Sequence, residues 1–235
     1  MQSIELNNQD LSYTFELIDN PLFATEELPF AEEAARVAYD LGSMAIRFAR
    51  VERVPRYDKD SRENDAEHSF MLGLVATELA ATYYSNLDVG LVAQFSTVHD
   101  LPELKTGDVA TFTLDDAALA AKESAEQAQL NSLCNELPPH TRHLLRRYEM
   151  QAEPEALFVR LVDKILPVIV DIIGPGKKVM VEDYDITTPE QLNTNEDRLS
   201  RKLLERFPEE ELGFVHQVRD ILAQAFSTQM QLEMT

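Results

Sequence analysis

Apolar residues recur at intervals of three and four along most of this chain, a spacing that favours helices over strands. Leu72, Val75 and Leu79 show it in HSFMLGLVATELAATYY, as do Val159, Leu166 and Val170 in EALFVRLVDKILPVIVDII. Strand-like alternation is nearly absent, and 7 glycines are few for 235 residues. With 44% hydrophobic residues the chain can bury a real core. The expected fold class is all-α, one helical bundle with N- and C-terminal extensions rather than two independent domains.

Local signals place the elements. Residues 1–29 read as an extension with a short helix expected around Leu11 to Ile18. From Phe30, PFAEEAARVAYDLGSMAIRFARVE puts acidic residues early and basic ones late, as a helix dipole favours. Pro55 and YDKDSREND predict a connector, after which Asp65 is the expected helix cap. Asn86 or Asp88 would cap the next helix, which ends near His99 and Asp100 ahead of Pro102. Residues 115–136 predict a long helix, and Pro138-Pro139 break it and start another through HLLRRYE. Pro154-Glu155 opens a helix expected to kink at Pro167 and to stop at Gly174-Pro175-Gly176. VMVEDYDI is the one segment expected to be extended. Thr188-Pro189-Glu190 starts a further helix, and the last follows Pro208.

Charge narrows the partners. Against 42 Asp and Glu stand 21 Lys and Arg, a net charge of −21 that repels nucleic-acid polymers and anionic membranes. The one cysteine, Cys134, permits no intrachain disulfide and no thiolate-clustered metal site. MQSIELNNQD lacks the basic start and apolar run of a secretory signal, and FMLGLVATELAATYY is too short and too interrupted by Glu78 to span a bilayer. A soluble, cytoplasmic protein is expected.

Four polar residues violate the apolar pattern. His68 shares the stripe of Leu72, Val75 and Leu79, and Asp163 shares that of Val159, Leu166 and Val170. His99 follows Val92 and Phe95 at helical spacing, with Asp100 beside it. A carboxylate on a buried face is costly unless it is paired, hydrogen-bonded or bound to a metal. Two imidazoles and two carboxylates suit one divalent cation, namely Mn, Fe, Co, Ni or Zn, with Mg also compatible. Neighbours on a helix diverge by about 100°, so His99 and Asp100 can share an ion only near a helix end. The plainer alternatives are a hydrogen-bonded core histidine and an Asp163 paired with Arg160 or Lys164. Residues 47–62 also gather Arg47, Arg50, Arg53, Arg56, Lys59 and Arg62, a basic run suited to a small anion or to a solvated helix end. His140, Arg142, His143, Arg146 and Arg147 form a second basic cluster, expected on a helix surface.

The order His68, His99-Asp100, Asp163 resembles the HD-domain phosphohydrolases, all-helical proteins in which H…HD…D binds a divalent metal. The flanking ENDAEHSF, HDLPELKTGD and YEMQAEPEALFVRLVDKI resemble the 5′-deoxynucleotidase subgroup. The resemblance spans about residues 31–173, so a core of 31–175 is expected between extensions 1–30 and 176–235. It implies that His68, His99, Asp100 and Asp163 bind the metal. It further implies that Glu103 orients or deprotonates the attacking water, and that Asp108 contacts the sugar or assists proton transfer. Arg53, in RVPR, would hold the phosphate, with Arg56 as a second substrate-binding arginine. The residue after this arginine is a bulky tryptophan in such deoxynucleotidases, and here it is the smaller Val54. The implied substrate is a (deoxy)nucleoside 5′-monophosphate, with a homodimer as the expected assembly. Deoxynucleoside triphosphates, guanosine-tetraphosphate alarmones and a non-catalytic metal-containing scaffold are the alternatives.

Overall fold

In the computed structural model, which describes residues 4–6, 13–15, 28–108, 112–114 and 116–234, the apolar spacing becomes a helical protein with two small sheets. The described residues divide at 44/45 into two compact units. In the first, β1 (Ile4–Leu6) pairs antiparallel with β2 (Tyr13–Phe15), with Ile4 opposite Phe15. The helix expected around Leu11 to Ile18 is therefore a strand over its described part, in keeping with the β preference of Tyr, Thr and Phe; the remainder lies outside the described residues. Helix α1 (Leu28–Phe48) spans the boundary.

The second unit begins with a hairpin where a connector is expected. Strand β3 (Glu52–Arg56) pairs antiparallel with β4 (Arg62–Asn64), and a register shift falls between Glu52 and Arg56, around Pro55. Asp58 closes the turn by accepting from the backbone N–H of Asp60 and Ser61 at 2.8 and 2.9 Å. Alternation along β3 turns Arg53 and Pro55 inward, and on β4 it buries Glu63.

Caps then set the helix starts. Asn64, rather than Asp65, caps α2 (Asp65–Tyr83), accepting from Ala66 and Glu67 while Glu67 completes a capping box. This leaves the Asp65 carboxylate available for a buried contact. Asp88 caps α3 (Val89–Val98) by accepting from the Leu91 N–H. A short α4 (Glu103–Thr106) follows, then α5 (Asp116–Glu136) and α6 (Pro139–Met150), with its proline in the first turn.

The expected kink at Pro167 is instead a break between α7 (Pro154–Asp163) and α8 (Leu166–Ile173). Pro167 sits in the first turn of α8, where a missing N–H is tolerated. Asp163 is thereby the last residue of a helix. VMVEDYDI is not extended: α9 (Gly176–Asp183) covers most of it. Val179 and Met180 are buried with Val168, Leu192 and Phe226, so core packing overrides a local strand-like run. Thr188 and Gln191 form the capping box of α10 (Pro189–Arg206), which packs along α11 (Glu209–Met234); α11 also packs on α7 and α8. No helix among the described residues is long and apolar enough to cross a membrane.

The turn between α8 and α9 approaches the hairpin closely. A Cβ on Gly174 would lie 2.1 Å from the Arg56 carbonyl oxygen, a backbone atom that cannot swing aside. Gly174→Ala is expected to destabilise the fold by about 1–3 kcal/mol, as overpacked sites do. Denaturant midpoints check this, and an unchanged midpoint would refute it.

Candidate metal centre and active site

His68 enters the site because α2 buries one stripe, Asp65, His68, Leu72, Ala76 and Ala80. His99 is the C-cap of α3 and Asp100 follows it, so the pair stands at a helix end, where adjacent side chains can converge. Asp163 arrives from the end of α7. One donor atom from each of the four lies within 4.8 Å of all the others. His68 Nε2 is 2.8 Å from Asp163 Oδ1 and 3.8 Å from Asp100 Oδ2. His99 Nε2 is 3.0 Å from Asp100 Oδ2 and 3.8 Å from Asp163 Oδ1.

Their chemistry fits a divalent cation. His99 Nδ1 lies 2.9 Å from the Ser96 carbonyl oxygen, which only an N–H can approach as a donor. This puts a proton on Nδ1 and turns Nε2 toward Asp100 Oδ2, where the neutral ring presents a lone pair. His68 turns Nδ1 toward Glu63 Oε2 at 3.4 Å and Nε2 toward the cluster. Histidine ligands are typically oriented in this way by a carbonyl or carboxylate behind the ring. Glu63 is fully buried, and sequence reasoning missed it, because Arg62-Glu63-Asn64 is polar throughout and shows no alternation until the strand's inward face is known.

Arg53 binds the surrounding acids together. Its Nη1 donates to Asp100 Oδ2 at 2.8 Å and to Asp65 Oδ1 at 3.0 Å, with Glu103 Oε2 at 3.5 Å; Nε faces Glu63 Oε2 at 3.3 Å. Arg53→Ala would leave these buried carboxylates without their shared cation, an expected loss of about 3–5 kcal/mol. In thermal melts that corresponds to roughly 6–20 °C, and saturating divalent metal should recover part of it. A variant melting like wild type would contradict this picture.

Burial raises the proton affinity of Glu103 well above the carboxylate range, with Asp100, Asp108 and Asp65 adding to it against Arg53. Burial likewise lifts Asp65 to about 6 despite Arg53. Asp100 and Asp163 go the other way. Burial opposes their charge, but His99 and Arg53 hold Asp100 low, while Lys164 and His68 hold Asp163 low. Burial and Arg53 push His68 down, yet the Asp163 and Glu63 carboxylates prevail and raise it from 6.5 to about 9.

A metal must therefore displace a proton from His68 at neutral pH. Affinity should climb as pH rises toward about 9, with proton release detectable by calorimetry in buffers of different ionisation enthalpy. Because the folded value is raised, the stability that protonated His68 gives the metal-free protein is full below 6.5 and is lost as pH rises through about 9. Metal binding at pH 7 without proton release would be inconsistent with this.

Glu103, Asp108 and Arg53 line one cleft with His99, Asp100 and Asp163. Arg56 does not line it: Nε and Nη2 bond Asp183 of α9 at 3.3 and 3.0 Å, and Arg62 joins the same carboxylate at 2.5 Å. Arg47, Arg50 and Lys59 are exposed, so of the basic run only Arg53 reaches the cleft. Lys164 does line it, with Nζ 2.6 Å from Asp163 Oδ2, as does Arg160 over the Tyr148 ring. In the second basic cluster, His140, His143 and Arg146 are exposed on α6, while Arg147 pairs with Glu153 at 2.5 Å.

A protein-family model for the HD domain matches residues 47–207, from the end of α1 to the end of α10, and includes every one of these side chains. The chain belongs to the HD-domain family. Among solved structures, this HD-domain chain is similar to a predicted metal-dependent phosphohydrolase from Magnetospirillum magnetotacticum MS-1. That likeness has a TM-score of 0.65 at 22% identity and covers 86% of this chain and 97% of the other. At that identity it shows a shared fold. No curated protein matches the chain.

Proposed function

We propose that the protein is a metal-dependent phosphohydrolase that cleaves the phosphomonoester of (deoxy)nucleoside 5′-monophosphates. The observation that carries this reading is the convergence of four donor atoms within 4.8 Å, beside Glu103 and Arg53 in one cleft. His68, His99, Asp100 and Asp163 would hold the cation, which would supply Lewis acidity and acidify a water. Glu103, its raised proton affinity offset by the cation's charge, would accept the proton of the attacking water. The P–O ester bond would break as the proton taken up by Glu103 passes to the leaving oxygen. Arg53, Lys164 and Arg160 are the basic side chains that line the cleft and would meet a phosphate there. Asp108 lines the same cleft and in this reading contacts the sugar hydroxyl or assists proton transfer.

A single phosphate is favoured over longer ones because the other basic residues of the 47–62 run are bonded to Asp183 or exposed outside the cleft. A purely structural metal does not account for Glu103 and Asp108 in the cleft. The reading places the protein in the cytoplasm, as a homodimer. Product analysis tests the substrate class: inorganic phosphate from monophosphates is expected. Release of triphosphate or pyrophosphate from longer substrates, with none from monophosphates, would replace it with the triphosphate or alarmone reading. Val54 makes the ribo-to-deoxy ratio a direct measure of how much sugar selection survives without a tryptophan.

A further inference from the structure

One buried acid in the cleft has no structural contact to explain it. Asp171, in α8, is 6% exposed and lines the cleft, and its Oδ1 has no hydrogen-bond partner among the described residues. Other buried or half-buried acids here are compensated: Glu63 faces Arg53 and His68, Asp65 bonds Arg53, and Glu196 pairs with Arg219. Asp171 has acidic neighbours instead. Burial, then Glu196, Glu63 and Asp183, raise its proton affinity well above the usual range. Such a group costs stability, so a role in folding does not account for it.

Its surroundings suit a flat ring. Tyr184 and Phe112 line the cleft and meet edge-on, ring centroids 5.4 Å apart. Val54, Val168, Met180 and Phe226 add apolar wall. The cleft thus has metal-ligating residues, aromatic rings and a lone acid among its walls. Apolar walls with a few placed polar groups are how small-molecule sites fix orientation.

We propose that Asp171 is the specificity-determining residue of the cleft, accepting a hydrogen bond from an N–H on the edge of a heterocyclic base held against Tyr184 and Phe112. This role rests on the nucleotide reading above and deepens it. An oxygen remains able to accept in either protonation state.

The test is calorimetric binding of the common nucleosides, and of inorganic phosphate, to the full-length metal-loaded protein; neither ligand is turned over. Wild type is expected to rank the nucleosides by base over about tenfold, the scale of one hydrogen bond to a buried charged or polar group. Asp171→Leu should flatten that ranking and leave phosphate binding unchanged. Asp171→Ala repeats the test with a smaller side chain, and Tyr184→Leu should weaken all nucleosides without reordering them. No binding or no ranking by wild type, a ranking that survives in Asp171→Leu, or an equal loss of phosphate would each overturn the proposal. Metal-dependent hydrolysis of p-nitrophenyl phosphate, run alongside, separates the two ideas. Activity there without base ranking removes only the role of Asp171, whereas its absence removes the phosphomonoesterase reading itself.

Discussion

Asp163→Ala is expected to strip the protein of its metal and to lower turnover by about a thousandfold or more, since several kcal/mol of Lewis-acid stabilisation are lost at 1.36 kcal/mol per factor of ten. Asp163 is the carboxylate that the site can least replace. It lies 2.8 Å from His68 Nε2 and 3.8 Å from His99 Nε2, so it touches both imidazoles, and no other acid among the described residues extends from α7 into the cluster. Its loss also releases Lys164 Nζ, now 2.6 Å away, toward solvent. Removing one partner of the buried His68–Asp163 pair should also cost about 3–5 kcal/mol of stability, so thermal melts are read beside metal content. Elemental analysis of the purified variant and its phosphate-release rate check the two halves separately. Full metal content with full activity would exclude Asp163 as a ligand.

Glu103→Gln is expected to part binding from chemistry. Glutamine keeps the shape and loses the basic oxygen, so metal content should match wild type while kcat falls by about 10²–10⁴, the usual share of a general base. Stability should hold or rise slightly, because Glu103 is a buried acid whose charge is disfavoured by burial and by Asp100. Loss of metal would recast Glu103 as a ligand. The geometry allows that question to be asked, since Asp65, Asp100 and Glu103 form a second acidic cluster. Arg53 Nη1 lies against all three, which makes a guanidinium, rather than a second cation, the partner of that cluster.

The site was legible in the sequence wherever polar residues broke an apolar period. His68 and Asp163 stand out on their stripes, and the structure brings both together with His99 and Asp100. Proline and capping signals placed α3, α6, α7 and α10 for the same reason: they act within a turn. What local signals did not carry depends on distant partners. The hairpin β3–β4 was hidden because a polar strand inside a helical protein shows its alternation only once Arg53 and Glu63 are known to be buried. VMVEDYDI alternates like a strand, yet Val179 and Met180 are buried together in a core built from α8, α10 and α11. Arg56 was grouped with Arg53 by spacing, but inward and outward alternation on β3 separates them, and Asp183, far along the chain, takes Arg56. Asp171 was missed because an acid two residues before the end of a helix reads as solvated until its walls are known.

The most direct test of a metal-dependent phosphohydrolase is phosphate release from nucleoside 5′-monophosphates by chelator-stripped protein, before and after Mn, Co, Ni, Zn or Mg is restored. Stripped protein should release none, and at least one of these ions, at one ion per chain, should restore release. Equal release with and without metal, or none from protein shown to hold its ion, would contradict it.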